Sequence, residues 1–216
     1  MAPVTEFVFA TRSASGSLDV LEKSFQLLKQ QPGNQAVRAS VLHENADQFR
    51  LFIDWDSIDS HYAFRSKDVY KNHFLGEVAS HVAGPATVVH AELSPFPPTV
   101  LDSAKTPVAE VLFTYFAPEA DAAKNLAAAQ ALVSGLSGAG FAGMTGESAL
   151  GWSVEKDVDF KGDKTRALIL LLGWESVDAH QKARATDVYG KLIAAFQGAA
   201  EGLKGFDISH VTTKAL

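Results

Sequence analysis

Two histidines stand one helical turn before two arginines, at positions that recur along the chain: His61 with Arg65, and His180 with Arg184. Such a pair beside an apolar seam can support proton-transfer chemistry, the arginine holding an enolate or phenolate while the imidazole exchanges its proton. Aromatic and further histidine residues recur around each pair. Trp55 and Tyr70 flank the first, Trp174 and Tyr189 the second, and His90 and His210 follow near the end of each half. These six are candidate walls of a small-molecule pocket. A plainer reading fits the same residues: Arg65 with Asp68 and Arg184 with Asp187 as helix-surface pairs, the histidines packed on the seam, and the tryptophans anchoring helix to sheet.

The recurrence extends to a whole phrase. Trp55-Asp56-Ser57-Ile58-Asp59-Ser60-His61 returns as Trp174-Glu175-Ser176-Val177-Asp178-Ala179-His180, and the register continues through Arg65/Arg184, Asp68/Asp187, Val69/Val188 and Tyr70/Tyr189. The chain is a duplicated small domain, and common descent of the halves would by itself repeat the residues. We divide it into residues 1–94, a Pro-rich linker at 95–107, and residues 108–216.

Each half reads as β-α-β-β-α-β. Strand-type runs occur at Glu6 to Ala10 and Glu110 to Thr114, followed by helices over Leu18 to Gln30 and from Pro118-Glu119 to about Leu136. Strands are expected over Ala36 to His43, Gln48 to Trp55, Ala149 to Glu155 and Arg166 to Trp174, with Lys156 to Lys164 as a hairpin connection. Ser57 and Ser176 cap a second helix, and the last strands are Thr87 to Leu93 and Phe206 to Thr212. At 100° per residue from Ile58, the residues His61, Arg65, Asp68, Val69 and Asn72 share one stripe. The third strands are apolar at successive positions (Leu51-Phe52-Ile53 and Leu168 to Leu172), a pattern of strands covered on both faces. A lone βαββαβ unit leaves one sheet face bare. The predicted fold class is therefore α+β: two tandem ferredoxin-like repeats whose antiparallel sheets pack into an intramolecular barrel with helices outside.

Composition narrows the function. Of 216 residues, 47% are hydrophobic and 20% charged, the formal net charge is −6, and no basic cluster could follow a phosphate backbone, so nucleic acid is not an expected partner. There is no cysteine, which removes thiolate ligands and nucleophiles. The longest apolar run is too short for a bilayer, and the expected location is cytoplasmic. No His/Asp/Glu set has metal-ligand spacing, so no metal is expected. The glycines between Gly135 and Gly151 trail a helix and lack a following Gly-Lys-Ser/Thr, which reads as a connection instead of a phosphate loop.

The Trp-(Asp/Glu)-Ser-x-x-x-His start of the second helix, with Phe64-x-Ser66, Tyr70 and the Gly151-Trp152-Ser153-x-Glu155 strand, resembles the dimeric α+β-barrel superfamily, nearest to antibiotic-biosynthesis-monooxygenase-like domains in tandem. That resemblance implies a cofactor-independent enzyme, of monooxygenase or proton-transfer and cyclisation type, acting on a small apolar, aromatic or polyketide-like molecule. His61 or His180 would be the base and Arg65 or Arg184 the anion holder. The alternatives are a non-catalytic module for a hydrophobic ligand or haem, or a stress-type barrel without substrate. Polyketide cyclases of the superfamily place Tyr and His six apart in this helix. Here those positions hold Phe64 and Tyr70, then Ala183 and Tyr189, which disfavours that mechanism. Haem-degrading relatives leave only a one-sided site, through His73 or His81. A monomer with a pseudo-twofold barrel, or a homodimer of such barrels, is expected.

Overall fold

The computed structural model describes residues 2–216, the side chains of Leu18 and His73 excepted. In the first repeat, strands β1 (Val4–Thr11), β2 (Asn34–Val41), β3 (Gln48–Trp55) and β4 (Thr87–Ala91) form an antiparallel sheet in the order β2-β3-β1-β4. The second repeat repeats that order: β6 (Met144–Trp152), β8 (Asp163–Trp174), β5 (Val108–Phe116) and β9 (Leu203–Val211) lie as β6-β8-β5-β9. Two short strands fell outside the sequence reading. β7 (Val158–Phe160) folds back on β8 inside the expected hairpin connection, and β10 (Lys214–Ala215) crosses to pair with β2 of the first sheet. The segment expected as a linker is also built in: a single 3₁₀ turn, Thr99–Leu101, buries Val100 and Leu101 among the barrel core residues.

Each sheet carries helices on one face and the other sheet on its opposite face. Phe7, Phe52 and Val89 of the first sheet meet Val111, Phe113 and Ile169 of the second in one buried cluster. Helix α1 (Leu18–Lys29), capped by Ser17, packs Leu21, Phe25 and Leu28 on the outer face of the first sheet, while α4 (Ala122–Gly138) does the same for the second with Leu132 and Leu136. The successive apolar residues Leu168 to Leu172 are therefore buried from both sides, each 0–1% exposed. The expected βαββαβ repeats and their face-to-face packing are present, but the sheets do not merge into a continuous ladder. They meet at two short seams. At one, Glu92 N donates to Trp152 O (3.1 Å), Val154 N to His90 O (2.8 Å) and Ser94 N to Leu150 O (2.9 Å). At the other, His43 N donates to His210 O (3.0 Å) beside the Leu42–Val211 bridge.

The second helix of each repeat differs from expectation. α2 (Ile58–Ser66) ends where Lys67 turns extended, and a π-type turn, Tyr70–Phe74, leads into α3 (Leu75–His81). In the second repeat α5 (Val177–Arg184) stops before Thr186, whose hydroxyl accepts from Tyr189 N and starts α6 (Asp187–Ala199). The stripe of His61, Arg65, Asp68, Val69 and Asn72 is thus split between two segments. Among the described residues neither Arg65–Asp68 nor Arg184–Asp187 is an ion pair.

Candidate functional site

Ser57 and Ser176 accept from the amides of Ser60 and Ala179, and this fixed first turn aims His61 and His180 down onto the outer face of the sheet. There His61 stacks on Trp55, centroids 5.4 Å apart at 19°, and His180 on Trp174, 4.7 Å apart at 24°. Both tryptophans are fully buried. Their indole N–H groups donate to carboxylates on the first strand of each repeat: Trp55 Nε1 to Glu6 Oε2 at 2.8 Å, and Trp174 Nε1 to Glu110 Oε2 at 3.0 Å. Each tryptophan thus sits between helix and sheet and orients a buried acid, and neither is among the residues that line the cavities beside them.

The histidines then form pairs. His61 Nδ1 lies 2.7 Å from His90 Nε2, and His180 Nδ1 lies 2.7 Å from His210 Nε2. His90 Nδ1 is 2.6 Å from Glu155 Oε1, and the His90 amide donates to Glu155 Oε2 at 2.9 Å. His210 Nδ1 bonds Glu44 Oε1 in the same way, with its amide donating to Glu44 Oε2 at 3.1 Å. Glu155 belongs to the second repeat and Glu44 to the first. Each tail beyond β2 or β6 crosses a seam and hands its glutamate to the other repeat.

With both rings of a pair neutral, the bonding pattern assigns the tautomers. An ionised Glu155 only accepts, so His90 carries its proton on Nδ1 and accepts at Nε2 from His61 Nδ1–H. His61 Nε2 is left as a lone pair 3.5 Å from Glu6 Oε1, and His180 Nε2 lies 3.3 Å from Glu110 Oε2 and 3.1 Å from the Tyr189 hydroxyl, which can donate to it. Burial, reinforced by the neighbouring histidine, lowers His61 and His180 to about 3, so both are neutral at pH 7. Burial likewise raises Glu6 to about 6 and Glu110 to about 7, against the indole hydrogen bonds of Trp55 and Trp174, which favour the ionised acids. Glu155 and Glu44, held by their histidine hydrogen bonds, fall below the usual carboxylate range.

Each acid faces a cavity between sheet and helices. The first-repeat cavity, about 100 Å³, is lined by Glu6, His61, Tyr70 and apolar residues including Phe25, Phe49 and Phe74. The second, about 90 Å³, is lined by Glu110, Arg184, Tyr189 and residues including Leu132, Phe196 and Phe206. In the second, Glu110 Oε1 is buried with no hydrogen-bond partner among the described residues. The sequence expectation of one histidine and one arginine in a single cavity is met by neither: His61 lines its cavity without Arg65, and Arg184 lines its cavity without His180. Arg65 is exposed, though its charge favours the ionised form of Glu6. His90 and His210 line neither cavity and sit behind the first histidines.

The four glutamates were not among the expected site residues. A charged residue opening an apolar strand in both halves, Glu6 and Glu110, was the available signal. Glu6, His61 and His90 also place donor atoms within 4.8 Å of one another, close enough to suggest a metal that no local spacing foretold. Two imidazole nitrogens on one zinc stand roughly 3.3 Å apart, from bonds of about 2.0 Å at a tetrahedral angle. The 2.7 Å separation here is that of a shared proton. The haem reading of His73 falls on a side chain outside the described residues, and His81 Nδ1 accepts from Ser17 N at 3.1 Å.

The fold is α+β, two tandem ferredoxin-like repeats packed sheet to sheet. No family model and no curated protein matches its sequence. Similar solved structures include an anthrone oxidase-like protein (TM-score 0.63, 12% identity, covering 100% of this chain and 94% of that one). A proposed monooxygenase from Lactobacillus acidophilus is also similar (0.58, 10%, 100% and 96%), as is a proposed chlorite dismutase (0.55, 9%, 99% and 96%). At these identities the likeness concerns the fold. The resemblance drawn from the repeated Trp-Ser-His phrase holds at that level.

Proposed function

We propose that the protein is a cofactor-independent enzyme that removes a proton from a small apolar, aromatic or polyketide-like molecule, in the monooxygenase version passing the resulting carbanion to oxygen. The observation that carries this reading is Glu110: a buried acid near neutral pKa, one oxygen held by Trp174 and the other unpartnered in an apolar cavity beside Arg184 and Tyr189. A general base works best when its pKa lies near the working pH. An unsatisfied buried acceptor is costly unless a ligand hydroxyl or acidic C–H meets it. This moves the base from His61 and His180, the candidates from sequence, to Glu6 and Glu110, with the histidines behind them. Arg184 keeps the role of anion holder, and Tyr70 and Tyr189 that of pocket walls.

In the oxygenase version the glutamate takes a proton from a ring methylene activated by a neighbouring carbonyl. The carbanion adds to O₂, and the peroxide anion picks up a proton. Loss of the remaining C–H then expels hydroxide, which is protonated to water, and leaves a new carbonyl. Position, a base and a nearby cation are what the chain supplies. A benzene ring occupies a cavity of about 150 Å³, so either cavity must widen to admit one. The broken helices beside Tyr70 and Tyr189 are the elements placed to move. The mainly apolar linings also suit simple carriage of a ligand, but carriage gives the unpartnered Glu110 oxygen no task.

The test is oxygen uptake by chelator-treated protein with reduced tricyclic and bicyclic phenols. We expect one O₂ consumed per carbonyl formed, and a loss of about 100-fold or more in kcat for Glu110→Gln or Glu6→Gln. No turnover by the wild type, or full turnover by the double variant, overturns the reading.

A further inference from the structure

We propose that Glu155 and Glu44 are the solvent-side ends of two proton wires, each running through a histidine pair into the cavity of the opposite repeat. The inference rests on the reading above, in which the cavity acid exchanges a proton with a ligand. The geometry of the wires is independent of it.

The two wires are built alike. From outside inward the first runs Glu155, His90, His61, Glu6, with heavy-atom separations of 2.6, 2.7 and 3.5 Å. The second runs Glu44, His210, His180, and at its inner end His180 Nε2 meets both Tyr189 (3.1 Å) and Glu110 (3.3 Å). The outer acid of each is far more exposed than the inner one. Glu155 is 26% and Glu44 43% exposed, whereas Glu6 and Glu110 are 5% and 1% exposed. A backbone carbonyl would satisfy the outer ring nitrogen of a purely structural pair, whereas here an acid from the other repeat, reaching water, does so.

The proton count closes. When the cavity acid takes a proton from the ligand, it can pass one to His61 Nε2. His61 Nδ1–H moves to His90 Nε2, His90 Nδ1–H moves to Glu155, and Glu155 yields a proton to water. Both rings are then left with hydrogen on Nε2. The reverse sequence returns a proton to the cavity, for the peroxide or hydroxide formed later, and restores the starting tautomers. Neutral imidazoles suit this transfer, because each link carries one N–H and one lone pair. Each cavity therefore has its exit to solvent through a residue of the other repeat, and Glu155 and Glu44 act as positioning and relay residues, with no contact to the ligand.

The test is ¹⁵N-histidine NMR of the full chain at pH 7, comparing wild type with Glu155→Gln, Glu155→Asp and Glu44→Gln. In the wild type His90 and His210 should both be neutral and protonated on Nδ1. Glu155→Gln should shift His90 and His61 and leave His180 and His210 unchanged, and Glu44→Gln should do the reverse. Glu155→Asp, which keeps the charge, should largely retain the wild-type tautomers. Wild-type Nε2–H tautomers at His90 and His210, or charged rings, overturn the wire even if every variant unfolds. So does a Glu155→Gln effect spread equally over both pairs. With an active substrate, Glu155→Gln should lower kcat at least about tenfold with KM unchanged, and added small buffer should restore it. A wild type that turns over nothing removes the enzymatic reading, while the NMR outcome still decides the wire.

Discussion

Glu110 is 1% exposed and Glu6 4%, and both carry the consequence of burial in their protonation. Their folded-state pKa values of about 7 and about 6 lie above the ordinary 4.5, so the folded chain holds these protons more tightly than the unfolded one. Stability from each acid is full below about pH 4.5 and is lost as pH rises through the folded pKa. For Glu110 the loss is on the order of 3 kcal/mol, at about 1.4 kcal/mol per pH unit. Glutamine imitates the protonated acid, so Glu110→Gln should gain on wild type by that amount between pH 4.5 and 8 in urea unfolding. A pH-independent difference would show that Glu110 is ionised at no unusual cost. His180, lowered to about 3, contributes with the opposite sign in both proteins, losing stability as pH falls from 6.5, so the gain from Glu110 is read at the alkaline end of the range. The histidines, arginines and aromatics of the site were legible because they repeat in sequence. Glu155 and Glu44 were not, because His90 and Glu155 are 65 residues apart and Glu44 and His210 are 166 apart, joined only by the seams.

The strands follow the local pattern closely. β3 spans Gln48–Trp55 as expected, and both it and β8 are apolar at successive positions because both faces are covered. The helices were less legible. A 100° projection assumes one unbroken helix, whereas Lys67 and Thr186 interrupt it and turn Tyr70 and Tyr189 toward the cavities. The seams were invisible to periodicity, yet one glycine marks them. A Cβ on Gly151 would stand 1.9 Å from Glu92 O of the facing strand end, a contact backbone cannot yield without parting the sheets. Gly151→Ala should therefore cost about 1–3 kcal/mol, as overpacking does, and should lower amide-exchange protection at Ser94 and Leu150. Gly198→Ala, on the exposed face of α6 with open space around it, serves as control and should be neutral or stabilising by about 0.5–1 kcal/mol. Equal effects from the two substitutions would refute the seam argument.

Taken whole, the molecule hides one sheet with the other, and that is the condition for everything else. Phe113 of β5 lies edge-on to Phe7 (5.4 Å, 87°) and Phe9 (5.2 Å, 80°) of β1, so its ring belongs to both repeats at once. Either repeat alone would present Phe7, Phe52 and Val89, or Val111, Phe113 and Ile169, to water, a contiguous apolar face that an isolated soluble unit rarely tolerates. The crossing strand β10 and the crossed glutamates add contacts between repeats at the edges. The two repeats should accordingly unfold as one unit. Phe113→Ala removes a buried aromatic at the shared centre and should cost about 3–5 kcal/mol. Although the substitution lies in the second repeat, it should lower amide protection in β3 of the first repeat and β8 of the second by the same free energy. If β3 keeps its protection while β8 loses it, the repeats are separately stable, and the dependence of each cavity on the opposite glutamate would become a matter of docking instead of folding.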